Sequence, residues 1–213
     1  MFKRNKLLTV VASSALITCS AMSTAQETTT STATVTVQNA FDLSEVSALT
    51  FGTIRATQNL DLTGSSPGTV TTPAIYNVKS NGTANTIAAA VVSSATDVAS
   101  AIGELTPGTP GEYLIANAAP FTNLTIQDPA DITLVNPSSP AASLFNVLID
   151  LADMTVKGGG NDGDAVNVTG NNLLTDATGS VSVLVGGRLS INAAAAEMPD
   201  GDYTGAYTIT VDY

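Results

Sequence analysis

Alternation of apolar and polar residues with a period of two dominates this chain of 213 residues. It is the signature of strands that bury one face. In Thr32-Ala-Thr-Val-Thr-Val-Gln38, Ala33, Val35 and Val37 fall on one side while Thr34, Thr36 and Gln38 fall on the other. The same reading predicts strands over 59–63, 74–78, 112–116, 124–127 and 131–135. Pro- and Gly-rich breaks at 65–68, 106–111, 136–137 and 139–140 punctuate them. Short strands separated by such turns predict an all-β fold, an antiparallel β-sandwich.

Two segments carry mixed signals. The stretch 86–105 is Ala-rich, and Thr96-Asp97 could cap one short helix over 98–102. The stretch 144–156 fits a helix through Leu144, Val147, Leu148 and Leu151, and a strand through Phe145, Val147, Ile149 and Leu151. The β-branched and aromatic residues on the odd parity, and the Gly run that follows, favour the strand. At Gly186-Gly187 a two-residue hairpin would set Val185 opposite Arg188, core against surface. Read straight through, Val181, Val183, Val185, Gly187, Leu189 and Ile191 share one face, so a continuous strand kinked or bulged at the glycines is expected. The last thirteen residues, GDYTGAYTITVDY, place Tyr203, Tyr207, Ile209, Val211 and Tyr213 on one parity, the expected core side of a closing strand. Gly205 falls on the same parity, which points to a bulge or a close neighbour there.

The first 25 residues stand apart from this pattern. Lys3, Arg4 and Lys6 precede an apolar stretch over 7–17, and Ser23-Thr24-Ala25 supplies a small-x-small cleavage site. Residues 1–25 therefore read as a secretory signal peptide, and 26–213 as a single mature domain of 188 residues. Cys19 leaves with the signal, since Thr18 is a poor neighbour for lipid attachment. The mature chain then has no cysteine for a disulfide. Loss of three basic residues leaves four (Arg55, Lys79, Lys157 and Arg188) against 18 acidic ones, taking the net charge from −11 to −14. So acidic a surface argues against nucleic acid and anionic lipid as partners. After the signal no apolar run approaches the roughly 20 residues of a membrane helix. The expected location is secreted, extracellular or at the cell surface, with passage through a periplasm.

Composition also limits chemistry. The mature chain has no His, Cys or Trp, which removes Ser-His-Asp and Cys-His catalysis and imidazole or thiolate metal sites. A carboxylate pair for glycoside hydrolysis is compatible with 18 acids, but only nine Phe and Tyr remain to stack a sugar. No phosphate-cradling Gly-rich motif is present, so no enzyme and no cofactor are expected. The one acidic cluster, Gly158-Gly-Gly-Asn-Asp-Gly-Asp164, offers Asn161, Asp162 and Asp164 as oxygen ligands for calcium. The same residues satisfy the geometry of a solvated turn, and that reading is preferred.

Leu49-Thr-Phe-Gly-Thr-Ile54, Val185-Gly-Gly-Arg-Leu-Ser-Ile191 and the terminal thirteen residues together resemble the secreted bacterial family called domain of unknown function 4402. The resemblance implies an immunoglobulin-like sandwich at the cell surface, similar in look to pilin and spore-coat subunits, with no catalytic residues to carry over. The expected function is a structural or adhesive surface protein, a fimbria- or matrix-type subunit that self-associates by strand addition through Ala33, Val35 and Val37. Its expected partners are itself, other surface subunits or a periplasmic chaperone. The alternatives are a monomeric secreted module binding glycan or calcium, and an outer-membrane β-barrel, whose last strand also ends on an aromatic residue.

Overall fold

The computed structural model describes residues 32–34, 40–57, 60–61, 70–92, 97–98, 100–139, 145–166, 172–191 and 199–213. The chain divides into Met1–Val37 and Gln38–Tyr213, and the fold described below is that of the second unit. With strands counted in chain order, one antiparallel sheet runs β1 (Asp42–Ser47), β10 (Gly111–Ala116), β16 (Val181–Val185), β14 (Met154–Lys157). A second runs β12 (Ile132–Leu134), β13 (Phe145–Leu148), β17 (Gly187–Ile191), β5 (Ile75–Val78), β6 (Thr86–Ala88). A third sheet joins β15 (Asn172–Leu174), β11 (Asn123–Ile126) and β18 (Val211–Asp212). Three two-stranded ribbons complete the set: β2 (Thr53–Thr57) with β9 (Ala101–Thr106), β3 (Leu60–Asp61) with β8 (Asp97–Val98), and β4 (Val70–Thr72) with β7 (Val91–Val92).

The fold is thus all-β, antiparallel and sandwich-like. Its core is one cluster drawing on all three sheets, with Ile115, Val156 and Val183 from the first, Tyr76, Val147 and Leu189 from the second, and Leu124 and Leu173 from the third. The longest described strands have six residues, and among the described residues the strands pair in separate sheets and ribbons.

The strand expected through the Gly pair is present. Val181, Val183, Val185, Leu189 and Ile191 are all buried, and β16 and β17 never pair with each other. The strand bends at Gly186 and passes from the first sheet to the second. A Cβ on Gly186 would sit 2.4 Å from the Val78 carbonyl oxygen and 2.7 Å from that of Asp153, so only glycine can occupy the crossing.

Two expectations need correction. The short helix expected over 98–102 does not form among its described residues, where Val98 lies in β8 opposite Leu60 and Ile102 in β9 opposite Ala56. Long-range ladder pairing outweighs the weak helical preference of so short a segment. No α-helix occurs among the described residues, only the 3₁₀ turns Leu151–Asp153 and Gly159–Asn161. The strand expected over 144–156 is two strands in different sheets. Asp150 breaks it, its Oδ1 accepting the Ala152 N–H at 3.0 Å while its carbonyl accepts from Asp153 at 2.8 Å. The odd parity still holds, for Phe145, Val147, Ile149 and Leu151 are all buried.

Candidate functional site

The Phe-Gly and Val-Gly-Gly segments, far apart in sequence, meet in space. Thr50 and Thr109 exchange backbone hydrogen bonds of 3.0 and 2.8 Å, which lays 49–52 across the end of the sandwich. Gly52 has φ +66, and a Cβ there would lie 2.2 Å from the Thr106 carbonyl oxygen. This turn therefore requires glycine. Gly187 leaves room for the neighbouring side chains, since its Cβ would come within 3.2 Å of Leu49 and 3.3 Å of Phe51. Phe51 in turn packs edge-on against Tyr76, with ring centroids 6.2 Å apart. The Tyr76 hydroxyl bonds to the Glu104 carboxylate and accepts from Gly108 N–H and Asn85 Nδ2, both at 2.9 Å.

The terminal segment runs opposite. Thr204 exchanges backbone hydrogen bonds with Val135 (2.8 and 3.0 Å), Gln127 N–H donates to the Thr210 carbonyl at 2.9 Å, and β18 pairs with β11. The closing strand is thus anchored at two places and not along its whole length. Tyr203, Tyr207 and Ile209 are half-buried against the core and Val211 is buried. Gly205 has the close neighbour expected, its Cβ direction blocked by Leu134 Cδ2 at 2.9 Å and the Thr133 carbonyl oxygen at 3.0 Å.

Tyr213 departs from its expected core position and is 42% exposed. It stands at the rim, tilted against Phe41 at 5.4 Å between centroids, its hydroxyl 3.4 Å from the Ala40 carbonyl oxygen. The strand outruns the sheets that cover its earlier residues.

Between 49–56 and 199–207 lies an open groove of about 530 Å³. The half-buried Ile132 and Leu134 line it together with the buried Phe145, Val147 and Leu189. Tyr203 forms part of one wall, perpendicular to Phe145 at 5.0 Å, its hydroxyl donating to the Pro199 carbonyl at 2.8 Å. At the inner end Tyr113 and Tyr207 join hydroxyl to hydroxyl at 2.8 Å. Burial raises both phenols above their ordinary range, and the Tyr113 hydroxyl adds to the rise at Tyr207.

Each wall already has one edge engaged. β2 pairs with β9, and the 199–207 stretch pairs through Thr204 with Val135. Neither wall has a ladder partner on its second edge among the described residues. The groove is chemically bare: its acidic groups are Asp200 and Asp202 at the rim, and no set of three metal-ligating His, Cys, Asp or Glu occurs among the described residues.

The remaining candidates lie elsewhere. Asn161 is engaged by β15, its Nδ2 donating to the Asn172 carbonyl and its Oδ1 accepting from Leu174 N–H, both at 3.1 Å. Asp162 Oδ1 accepts the Gly158 N–H at 2.6 Å. Asp164 sits where the hairpin closes, its carbonyl accepting from Val156 at 2.8 Å. Two of the three proposed calcium ligands therefore have carboxylate or amide oxygens already bonded to main chain. Ala33 is exposed within the described stretch 32–34, while Val35 and Val37 lie outside the described residues.

The wall formed by β2 was missing from the sequence reading. Thr53-Ile-Arg-Ala-Thr57 alternates cleanly, with Ile54 and Ala56 half-buried, and its position directly after the Phe-Gly turn was the available signal. No protein-family model matches this chain, and no characterised protein or solved structure was found similar to it.

Proposed function

We propose that this protein is an exported structural or adhesive subunit of the cell surface that self-associates through β-strand addition. One observation carries the reading: the sandwich has a groove between 49–56 and 199–207 whose two walls each lack a ladder partner on one edge among the described residues. Such an arrangement suits an added strand, which would pair with backbone at the walls. The leader-like segment 1–25 and the likeness of the chain's ends to the domain of unknown function 4402 family support export and family membership, both put forward as proposals.

The test is sedimentation and electron microscopy of residues 26–213 over a range of concentrations. Concentration-dependent oligomers or fibres support the reading, and a monomer at every concentration overturns it.

A second reading, a binding module, has one local support. Phe121 is 69% exposed and held at φ +54, a strained conformation for an aromatic residue. Its loop is braced by Thr175, whose Oγ1 donates to the Ala119 carbonyl at 2.8 Å. Glycan-array binding abolished by Phe121→Ala would favour this module over a structural subunit.

A further inference from the structure

We infer that Asn81 is a site where this protein modifies itself: its side-chain amide closes on the Gly82 backbone nitrogen and loses ammonia, with Thr83 stabilising the charge that develops. Asn81-Gly82 is the one Asn-Gly pair in the chain. It sits in the loop between β5 and β6, where Asn81, Gly82 and Thr83 are all exposed. Asparagine is among the chemically labile residues, and a following glycine has no side chain to shield its nitrogen. Gly82 is held at φ +72, and the space where a Cβ would stand is empty to 4 Å. Neither the Gly82 N–H nor Asn81 Nδ2 is tied up in a hydrogen bond among the described residues.

The loop is fixed at its ends and open in the middle. Lys79 N–H donates to Asn85 Oδ1 at 3.1 Å, the Ser80 and Thr155 hydroxyls bond at 2.7 Å, and Asn85 Nδ2 donates to the Gly108 carbonyl at 2.9 Å. Within that frame Asn81 Oδ1 accepts twice from Thr83, from its hydroxyl at 2.6 Å and its N–H at 3.2 Å. A backbone N–H can only donate, so this contact fixes which end of the amide is oxygen. Two donors on one carbonyl oxygen polarise Cγ and lie where negative charge gathers when a nucleophile adds to it.

Hydroxide takes the Gly82 N–H proton, and the nitrogen adds to Asn81 Cγ, sending the carbonyl electron pair onto Oδ1. When that pair returns, the Cγ–Nδ2 bond breaks and Nδ2 takes a proton from water, leaving as ammonia. Water then opens the five-membered imide at either carbonyl, giving aspartate or isoaspartate at position 81. Water and its hydroxide are the only co-reactants. The 18 acidic groups become 19, so the mature chain passes from −14 to −15.

Other asparagines lack one part of this arrangement. Asn136 Oδ1 accepts the Ser138 N–H at 2.9 Å in the same kind of turn, but Pro137 follows it and has no N–H to lose. After Asn117 the nitrogen is engaged, Ala118 N–H donating to the Gly179 carbonyl at 3.1 Å. At Asn161 both ends of the amide are held by β15.

The test follows residues 26–213 at pH 8 by intact mass, ammonia release and peptide mapping. The expected result is a gain of about 1 Da located at residue 81, at least ten-fold faster than at Asn117 or Asn161 and faster still as pH rises. Thr83→Val removes the hydroxyl and keeps the side-chain shape. It should slow the folded chain at least three-fold and leave the rate in concentrated urea unchanged. Modification at residue 81 no faster than at Asn117 would overturn the site. A Thr83→Val rate equal to that of the unaltered chain, or slowed as much in urea as in the folded state, would overturn the part given to Thr83.

Discussion

The segments 181–191 and 201–213 carry the same alternating pattern, yet the fold treats them differently: the first is strand on both sides of Gly186, while in the second only Val211–Asp212 is strand. The first is paired on both sides along its length, with β10 and β14 flanking β16, and β13 and β5 flanking β17. The second is fastened only at Thr204 and at 210–212, with half-buried side chains between. Alternation reports which side of a strand meets the core. It is silent on how many neighbours the backbone finds, and that number decides whether a strand is central or forms the wall of a groove.

Substitutions that treat the two strands alike should separate them. Gly186→Ala drives a methyl group into two backbone carbonyls. It should lower stability by about 3 kcal/mol or more, read as a fall in the urea midpoint. Gly205→Ala meets Leu134 Cδ2 and the Thr133 carbonyl at 2.9–3.0 Å, on a segment with slack on either side. Its expected cost is about 1 kcal/mol, and equal losses at the two glycines would erase the contrast. Leu189→Ala, at a fully buried position, should cost about 3 kcal/mol. Ile209→Ala, half-buried, should cost about 1 kcal/mol by the area it covers.

Tyrosine ionisation gives a smaller effect, shared between Tyr113 and Tyr207 at the groove's inner end and Tyr76, whose phenol burial and the Glu104 hydrogen bond also raise. Burial raises the phenols of Tyr113 and Tyr207 above 10 in the folded chain. Unfolded phenols ionise near 10. Their contribution is therefore full below pH 10 and is lost as pH climbs past 10 toward the raised folded values. Thermal melts from pH 8 to 11 should show this decline, and Tyr207→Phe should lessen it while removing about 1 kcal/mol of hydrogen bonding at neutral pH. The smallest expected effect is that of calcium. With Asn161 and Asp162 bonded to backbone, the melting temperature should be the same in calcium and in chelator. A rise in calcium would restore the site.

Much of the sandwich was legible because its central strands obey a strict period of two. The crossing at Gly186 was readable from parity alone, since a hairpin would have opposed Val185 to Arg188. The break at Asp150 was hidden because it preserves the odd parity of Phe145, Val147, Ile149 and Leu151 on both sides of the turn. β1 was invisible for another reason: Asp42-Leu-Ser-Glu-Val-Ser47 is exposed along its whole length, and an edge strand without a buried face has little pattern to show. Half of the groove could be read, in the terminal tyrosines and in 131–135. The other half depends on where a Gly52 turn sends β2, and that is a property of the assembled backbone.

The passage of one strand through Gly186 has a consequence for how the protein comes apart. Because 181–191 belongs to the first sheet in its first half and to the second in its second half, neither sheet can release it without disturbing the other. The two layers should therefore behave as a single cooperative unit. The amides of Val183 and Leu189, on opposite sides of the bend, should exchange with solvent at the same opening free energy even though they are paired in different sheets.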